Sequence, residues 1–111
     1  MTEKPVIWVG SSRERLRAFP VDARRDAGHQ LHVVQLGLPP SDWRPMPSVG
    51  AGVVELRVHA AGEHRVVYVA KFAEALYVLH AFEKKTRQTR EADLDLARRN
   101  LAAVLQQRRA R

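Results

Sequence analysis

Cationic side chains recur on three consecutive sheet-like segments of this chain. These are Val53-Val-Glu-Leu-Arg-Val58, His64-Arg-Val-Val-Tyr-Val69 and Ala75-Leu-Tyr-Val-Leu-His-Ala-Phe-Glu-Lys-Lys-Thr86. Arg57, Arg65 and the Lys84–Lys85 pair therefore lie on, or just past, neighbouring strands. Guanidinium and ammonium groups at set spacing on a sheet suit a polyanion: arginine grips phosphate with two prongs, and lysine supplies a point charge. Other chemistries drop out. The chain has no cysteine, which excludes disulfides, thiolate nucleophiles and zinc–thiolate centres. His29 and His32 stand three apart on a helix-like segment but lack a nearby third ligand.

The elements that must position these cations follow from periodicity and punctuation. A strand is expected over Lys4 to Val9, ended by Gly10. Ser11-Ser-Arg-Glu14 reads as a reciprocal capping box opening a short helix, which Pro20 ends by disfavouring helical geometry at Phe19. Pro20 then opens a second helix, in which Ala23, Ala27, Leu31 and Val34 line one buried stripe up to Gly37 and Pro39. Leu38 to Gly52 reads as a loop, because its prolines and glycines sustain neither ladder nor helix. Trp43 in that loop is expected to pack over the core edge rather than stack on a ligand.

Three strands follow, Val53–Val58, Arg65–Ala70 and Leu76–Glu83, with Ala60-Ala-Gly-Glu63 turning the first hairpin. On the third strand, Val78, His80 and Phe82 alternate with Tyr77, Leu79, Ala81 and Glu83. Both sets are apolar, so alternation assigns neither to the core. A last helix runs from an N-cap at Thr89 to about Gln107, with Leu94, Ala97, Leu101, Val104 and Leu105 as its stripe and Arg108–Arg111 frayed. The order β-α-α-β-β-β-α is α+β. It implies one small antiparallel sheet with helices on one face and a solvated, basic face opposite.

The chain has 111 residues and is expected to form a single domain over 1–111. Its net charge is +7, and residues 84–111 hold nine basic against three acidic residues. That asymmetry points to nucleic acid or an acidic protein partner. Val6-Ile-Trp-Val9 is too short for a signal-peptide core, and no segment could span a bilayer, so the cytoplasm is the expected location.

Several strings occur together and in order. They include Phe19-Pro20, Gln35-x-Gly37-x-Pro39, Asp42-Trp-Arg-Pro-Met46, Val49-Gly-Ala-Gly-Val53, Glu55-Leu-Arg57, Arg65-Val-Val-Tyr-Val-Ala-Lys-Phe72, Tyr77-Val-Leu-His-Ala-Phe-Glu-Lys-Lys-Thr86 and Asp93-x-x-x-Ala97-Arg98. From about Val6 to about Leu105 the chain resembles the RelE/HigB toxins of the RelE/ParE superfamily, in particular their phage-derived HigB-like branch. That resemblance implies a RelE-like fold and the toxin of a type II toxin–antitoxin pair. Its activity would be a metal-independent endoribonuclease without cofactor, cutting messenger RNA on the ribosome. The implied partners are a cognate helix-turn-helix antitoxin, operator DNA only through that antitoxin, and no membrane. Where the family often has an aromatic residue before Arg65, this chain has His64, which bears on base stacking.

The resemblance and the cation pattern together set the expected roles. Arg57 and Arg65 hold the scissile phosphate, Lys84 and Lys85 stabilise developing charge or protonate the leaving oxygen, and His80 is the general base. Arg44, His64, Lys71 and Arg87 contact flanking substrate. Structural roles compete. Arg57 can pair with Glu55, Glu63 or Glu83, the lysines can be a solvated strand exit, and His80 can be a hydrogen-bonded core residue. Tyr68, similarly, can stack a base or pack in the core. A non-catalytic ParE-like gyrase inhibitor, or an RNA-binding module without turnover, also fits the fold.

Overall fold

The computed structural model describes residues 3–110. Its elements are β1 (Val6–Trp8), α1 (Ser12–Arg17), α2 (Val21–Gln35), β2 (Trp43–Pro45), β3 (Val53–Val58), β4 (His64–Val69), β5 (Leu76–Glu83) and α3 (Glu91–Arg109). The architecture is α+β, as expected. β3, β4 and β5 form an antiparallel meander at the centre of a 5-stranded sheet of order β1-β5-β4-β3-β2.

The sheet is mixed rather than wholly antiparallel, because β1 runs parallel to β5, with Val6 beside Leu76 and Trp8 beside Val78. The stretch expected to be a loop contributes the opposite edge, β2, antiparallel to β3. A proline survives there because an edge strand can leave its outer side unpaired.

Helices cover both faces, which corrects the one-faced expectation. α1, α2 and the short link that joins them bury Leu16, Phe19, Ala27 and Leu31 against Leu56, Val66, Tyr68 and Val78. α3 buries Ala97, Leu101 and Val104 against Val53, Val67, Val69 and Tyr77 on the other side. Two apolar faces explain why β4 is buried along its whole length and why the alternation along β5 names no single core side. A register shift opposite Val67/Tyr68 skips Leu79, so His80 and Phe82 pair with Val67 and Arg65 on the α3 side.

The helix ends differ from expectation in detail. Ser11 caps α1 without a side-chain bond to the backbone, and its hydroxyl instead accepts from Arg15 Nε at 2.9 Å. The cap of α3 is Arg90, not Thr89. α3 also continues through Arg108, whose guanidinium lies 3.7 Å from the Phe72 ring centroid and pairs with Glu74. That anchorage explains why the basic end stays helical instead of fraying; residue 111 lies outside the described residues. No helix among the described residues is long and apolar enough to cross a membrane.

Leu101 is a central contact between α3 and the sheet. Leu101→Ala should lower unfolding free energy by about 2–5 kcal/mol, the range for a buried leucine truncation. Urea unfolding measures it, and a loss below about 1 kcal/mol would mean that α3 adds little to the core.

Candidate functional site

α3 shields only part of its face. Past its N-terminal end the same sheet surface changes from apolar to charged, and strand register dictates how. Arg44 on β2 stands opposite Glu55 on β3, and Arg57 on β3 stands opposite Arg65 on β4. Facing arginines repel. Glu55 relieves this, its Oε1 lying 3.5 Å from Arg57 Nε and 3.8 Å from Arg65 Nε. Arg65 also donates through Nη1 to Glu63 Oε1 at 3.1 Å and to the His64 carbonyl at 2.9 Å. Glu55 is 3% exposed and Arg65 6%, whereas the Arg57 side chain is 28% exposed. Both buried Nε groups lack a hydrogen-bonded partner among the described residues.

The β3–β4 turn extends this network. Ala61 and Gly62 take positive φ (52° and 99°), the left-handed geometry that a tight hairpin needs. The turn brings His59 back onto Glu63: Nδ1 lies 2.7 Å from Oε2, and Nε2 lies 2.6 Å from Asp42 Oδ2. Hydrogen bonds to Asp42 and then Glu63 raise the His59 pKa. The bond to His59 holds Asp42 and Glu63 below their ordinary values, with Arg65 adding to both effects and Arg57 to that on Asp42. An unbroken series of carboxylates, imidazole and guanidinium groups thus spans β2, β3 and β4.

Beside this network lies a cleft of about 500 Å³, lined by Arg44, Lys84, Arg87 and Glu55 together with Glu91 and Leu94 of α3. Its cationic wall is set by the exit of β5. Lys84 N donates to the Glu63 carbonyl at 2.8 Å, and Thr86 Oγ1 donates to the Gln88 carbonyl at 2.5 Å, folding the loop toward the first turn of α3. Arg44, on the exposed edge strand, shares the lining with Lys84 and Arg87. A phosphodiester entering here would meet cations from two sides, with a carboxylate at the floor.

The structure thus gathers Arg44, Lys84 and Arg87 around one cleft, with Arg57 and Arg65 tied to its floor through Glu55. Four expected site residues lie elsewhere. Lys85 lines a separate hollow with Phe19, His64 and Arg90, because successive residues leaving a strand diverge. His64 is buried against the Phe19 ring, with centroids 4.5 Å apart, on the face opposite Arg65. Lys71 lies beyond the far end of β4, roughly 20 Å from Arg65 at a strand's rise per residue, beside Phe72.

His80, expected as a general base, is a core residue. Its Nε2 lies 2.8 Å from Oδ1 of the buried Asp93, and its ring stacks on Phe82. Burial lowers its pKa against the opposing pull of Asp93. It lines none of the clefts described here and joins β5 to the first turn of α3. The arginine-rich side of α3 is likewise engaged internally at Arg98, which pairs with Glu91 and Asp95.

Sequence reasoning names Glu55 only as a partner for Arg57 and does not single out His59. The spacing of Glu55 and Arg57 on one strand face, and of His59 and Glu63 across a glycine turn, carried the signal.

The family model described as Phage derived protein Gp49-like (DUF891) matches residues 14–102. No curated protein matches the chain.

The His59 network should be complete within a defined pH window. Its imidazole gains affinity for the proton on folding, so that contribution is full below the ordinary value of 6.5 and is lost as pH rises through the folded value. Asp42 and Glu63 shift down, so theirs is full above 3.8 and 4.5 and is lost as pH falls through the folded values. An NMR titration should place the His59 midpoint above 6.5, and Asp42→Asn should bring it down. An unchanged midpoint would contradict the pairing.

Proposed function

Because the chain belongs to the phage-derived Gp49-like family, which is related to RelE/HigB-type toxins, we propose that it is the toxin of a type II toxin–antitoxin pair and an endoribonuclease. On this reading it cuts messenger RNA on the ribosome and is held inactive by a cognate antitoxin. The observation that carries the proposal is the cleft itself, which Arg44, Lys84 and Arg87 line together with Glu55, the carboxylate that Arg57 and Arg65 flank.

In the proposed reaction the nucleophile is the 2′-hydroxyl of the RNA, so the protein supplies alignment, a proton acceptor and cations. Arg44 and Arg87 grip the phosphate from two sides, and the half-buried Arg57 adds a third contact. Glu55 accepts the 2′-hydroxyl proton as the O2′–P bond forms. Lys84 gives a proton to O5′ as the P–O5′ bond breaks, leaving a 2′,3′-cyclic phosphate and a free 5′-hydroxyl. Charge rises on the phosphate in the transition state, so fixed guanidinium groups stabilise that state more than the ground state. Arg65, held by Glu63 and the His64 carbonyl and outside the lining of the cleft, positions Glu55 instead of touching RNA.

A translating extract programmed with a defined message tests this. The chain should generate discrete cuts ending in cyclic phosphate. Lys84→Ala should slow cutting about 100-fold or more, as for loss of one transition-state donor. Glu55→Gln should slow it about 10²–10⁴-fold, the usual weight of a general base. Lys85→Ala and Lys71→Ala should leave it near the wild-type rate. Intact message alongside accumulating cleaved DNA would favour the gyrase-inhibitor class. RNA retention without any cut would favour a binding module.

A further inference from the structure

The sheet carries a second concave site on the face opposite the cationic cleft. It is a groove of about 480 Å³ between the end of α2, the 37–40 segment and the edge strand. That volume lies in the range of ligand clefts, about 300–1,000 Å³. Its walls are apolar: Leu38, Pro40, Trp43 and Val54 line it. Trp43 is 45% exposed, although large aromatic side chains normally find cover.

The floor supplies an independent indication of a ligand. Tyr68 is only 3% exposed, lines the groove, and its hydroxyl has no hydrogen-bond partner among the described residues. The ring is buried but the hydroxyl is not sealed from solvent, so it is available to a ligand in the groove. Burial raises its pKa to about 12, so the group remains a donor at any physiological pH. At the rim, Lys4 and Lys71 form no ion pair among the described residues; Lys4 Nζ donates to the Ala70 carbonyl at 2.5 Å, and Lys71 lies over Phe72.

We propose that this groove docks a segment of a protein partner, an extended acidic peptide that seats one bulky apolar side chain between Trp43 and Leu38. The Tyr68 hydroxyl would donate to a peptide carbonyl, and a carboxylate next to the seated side chain would meet Lys4 and Lys71. A peptide fits better than a nucleic-acid strand because the walls are aliphatic and aromatic and no arginine lines them. The +7 charge of the chain would speed capture of such a partner. Docking here does not require the nuclease reading, since the groove and the cleft lie on opposite faces.

Selection of a displayed random-peptide library on the full chain tests the proposal. Enriched peptides should pair an aromatic or large aliphatic residue with Asp or Glu. Their affinity should fall at least tenfold with Trp43→Ala or with Lys4→Glu/Lys71→Glu, and several-fold with Tyr68→Phe. It should be unchanged by Lys84→Ala, which separates this site from the cleft. Near-UV circular dichroism confirms that each variant is folded. Lack of enrichment, binding that survives both Trp43→Ala and the lysine reversals, or displacement of the peptides by a short single-stranded RNA would each overturn it.

Discussion

The charged end of this sheet depends on one carboxylate. Register makes Arg57 and Arg65 direct cross-strand neighbours, and Arg65 is almost fully withdrawn from water. A buried guanidinium facing a like charge is tolerable only if anions share the space. Glu55 does so from the middle of β3, within ion-pair reach of both arginines. Glu63 takes the rest of the Arg65 charge and passes the network through His59 to Asp42. Edge strand, hairpin turn and central strand are therefore locked by a single alternation of sign. The cations are thus held in fixed positions, the pre-organisation that the proposed stabilisation of a reacting phosphate requires.

Much of the architecture was legible because the usual signals are strong here. The stripe at Ala23, Ala27, Leu31 and Val34 is buried as its spacing implied, and the β3–β4 hairpin turns where Ala61-Gly62 allows positive φ. The misses have physical causes. A proline-rich stretch hid β2, since an edge strand needs only one side of its backbone paired. The near-continuous apolar run of β4 and β5 signalled a sheet covered on both faces, yet alternation alone cannot express that. The bulge that skips Leu79 sends His80 onto α3, a change no periodic pattern reveals. The recurrence of cations along the meander was legible, but not which of them share one cleft. Lys84 and Lys85 are adjacent in sequence, yet only Lys84 lines the cleft with Arg44 and Arg87.

One short strand serves both sides of the molecule. On β2, Arg44 reaches into the cationic cleft while Trp43, next to it, opens onto the apolar groove. Alternation across a strand makes this unavoidable, and placing that strand at the margin keeps both side chains accessible. The α3 face shows a second division of labour. Its apolar half forms a core with the helix, and its charged half is left uncovered where the helix begins.

The parallel contact between β1 and β5 has a consequence for how the molecule is born. Val6 can find its neighbour Leu76 only after nearly all the intervening chain exists. During synthesis the first strand must wait as an apolar segment without a ladder, and long-range pairing of this kind is slow to form. The meander of β3, β4 and β5, built from local connections, can assemble first and offer β5 as the template. The sheet is therefore expected to mature from its middle outward, with β1 among the last strands to settle.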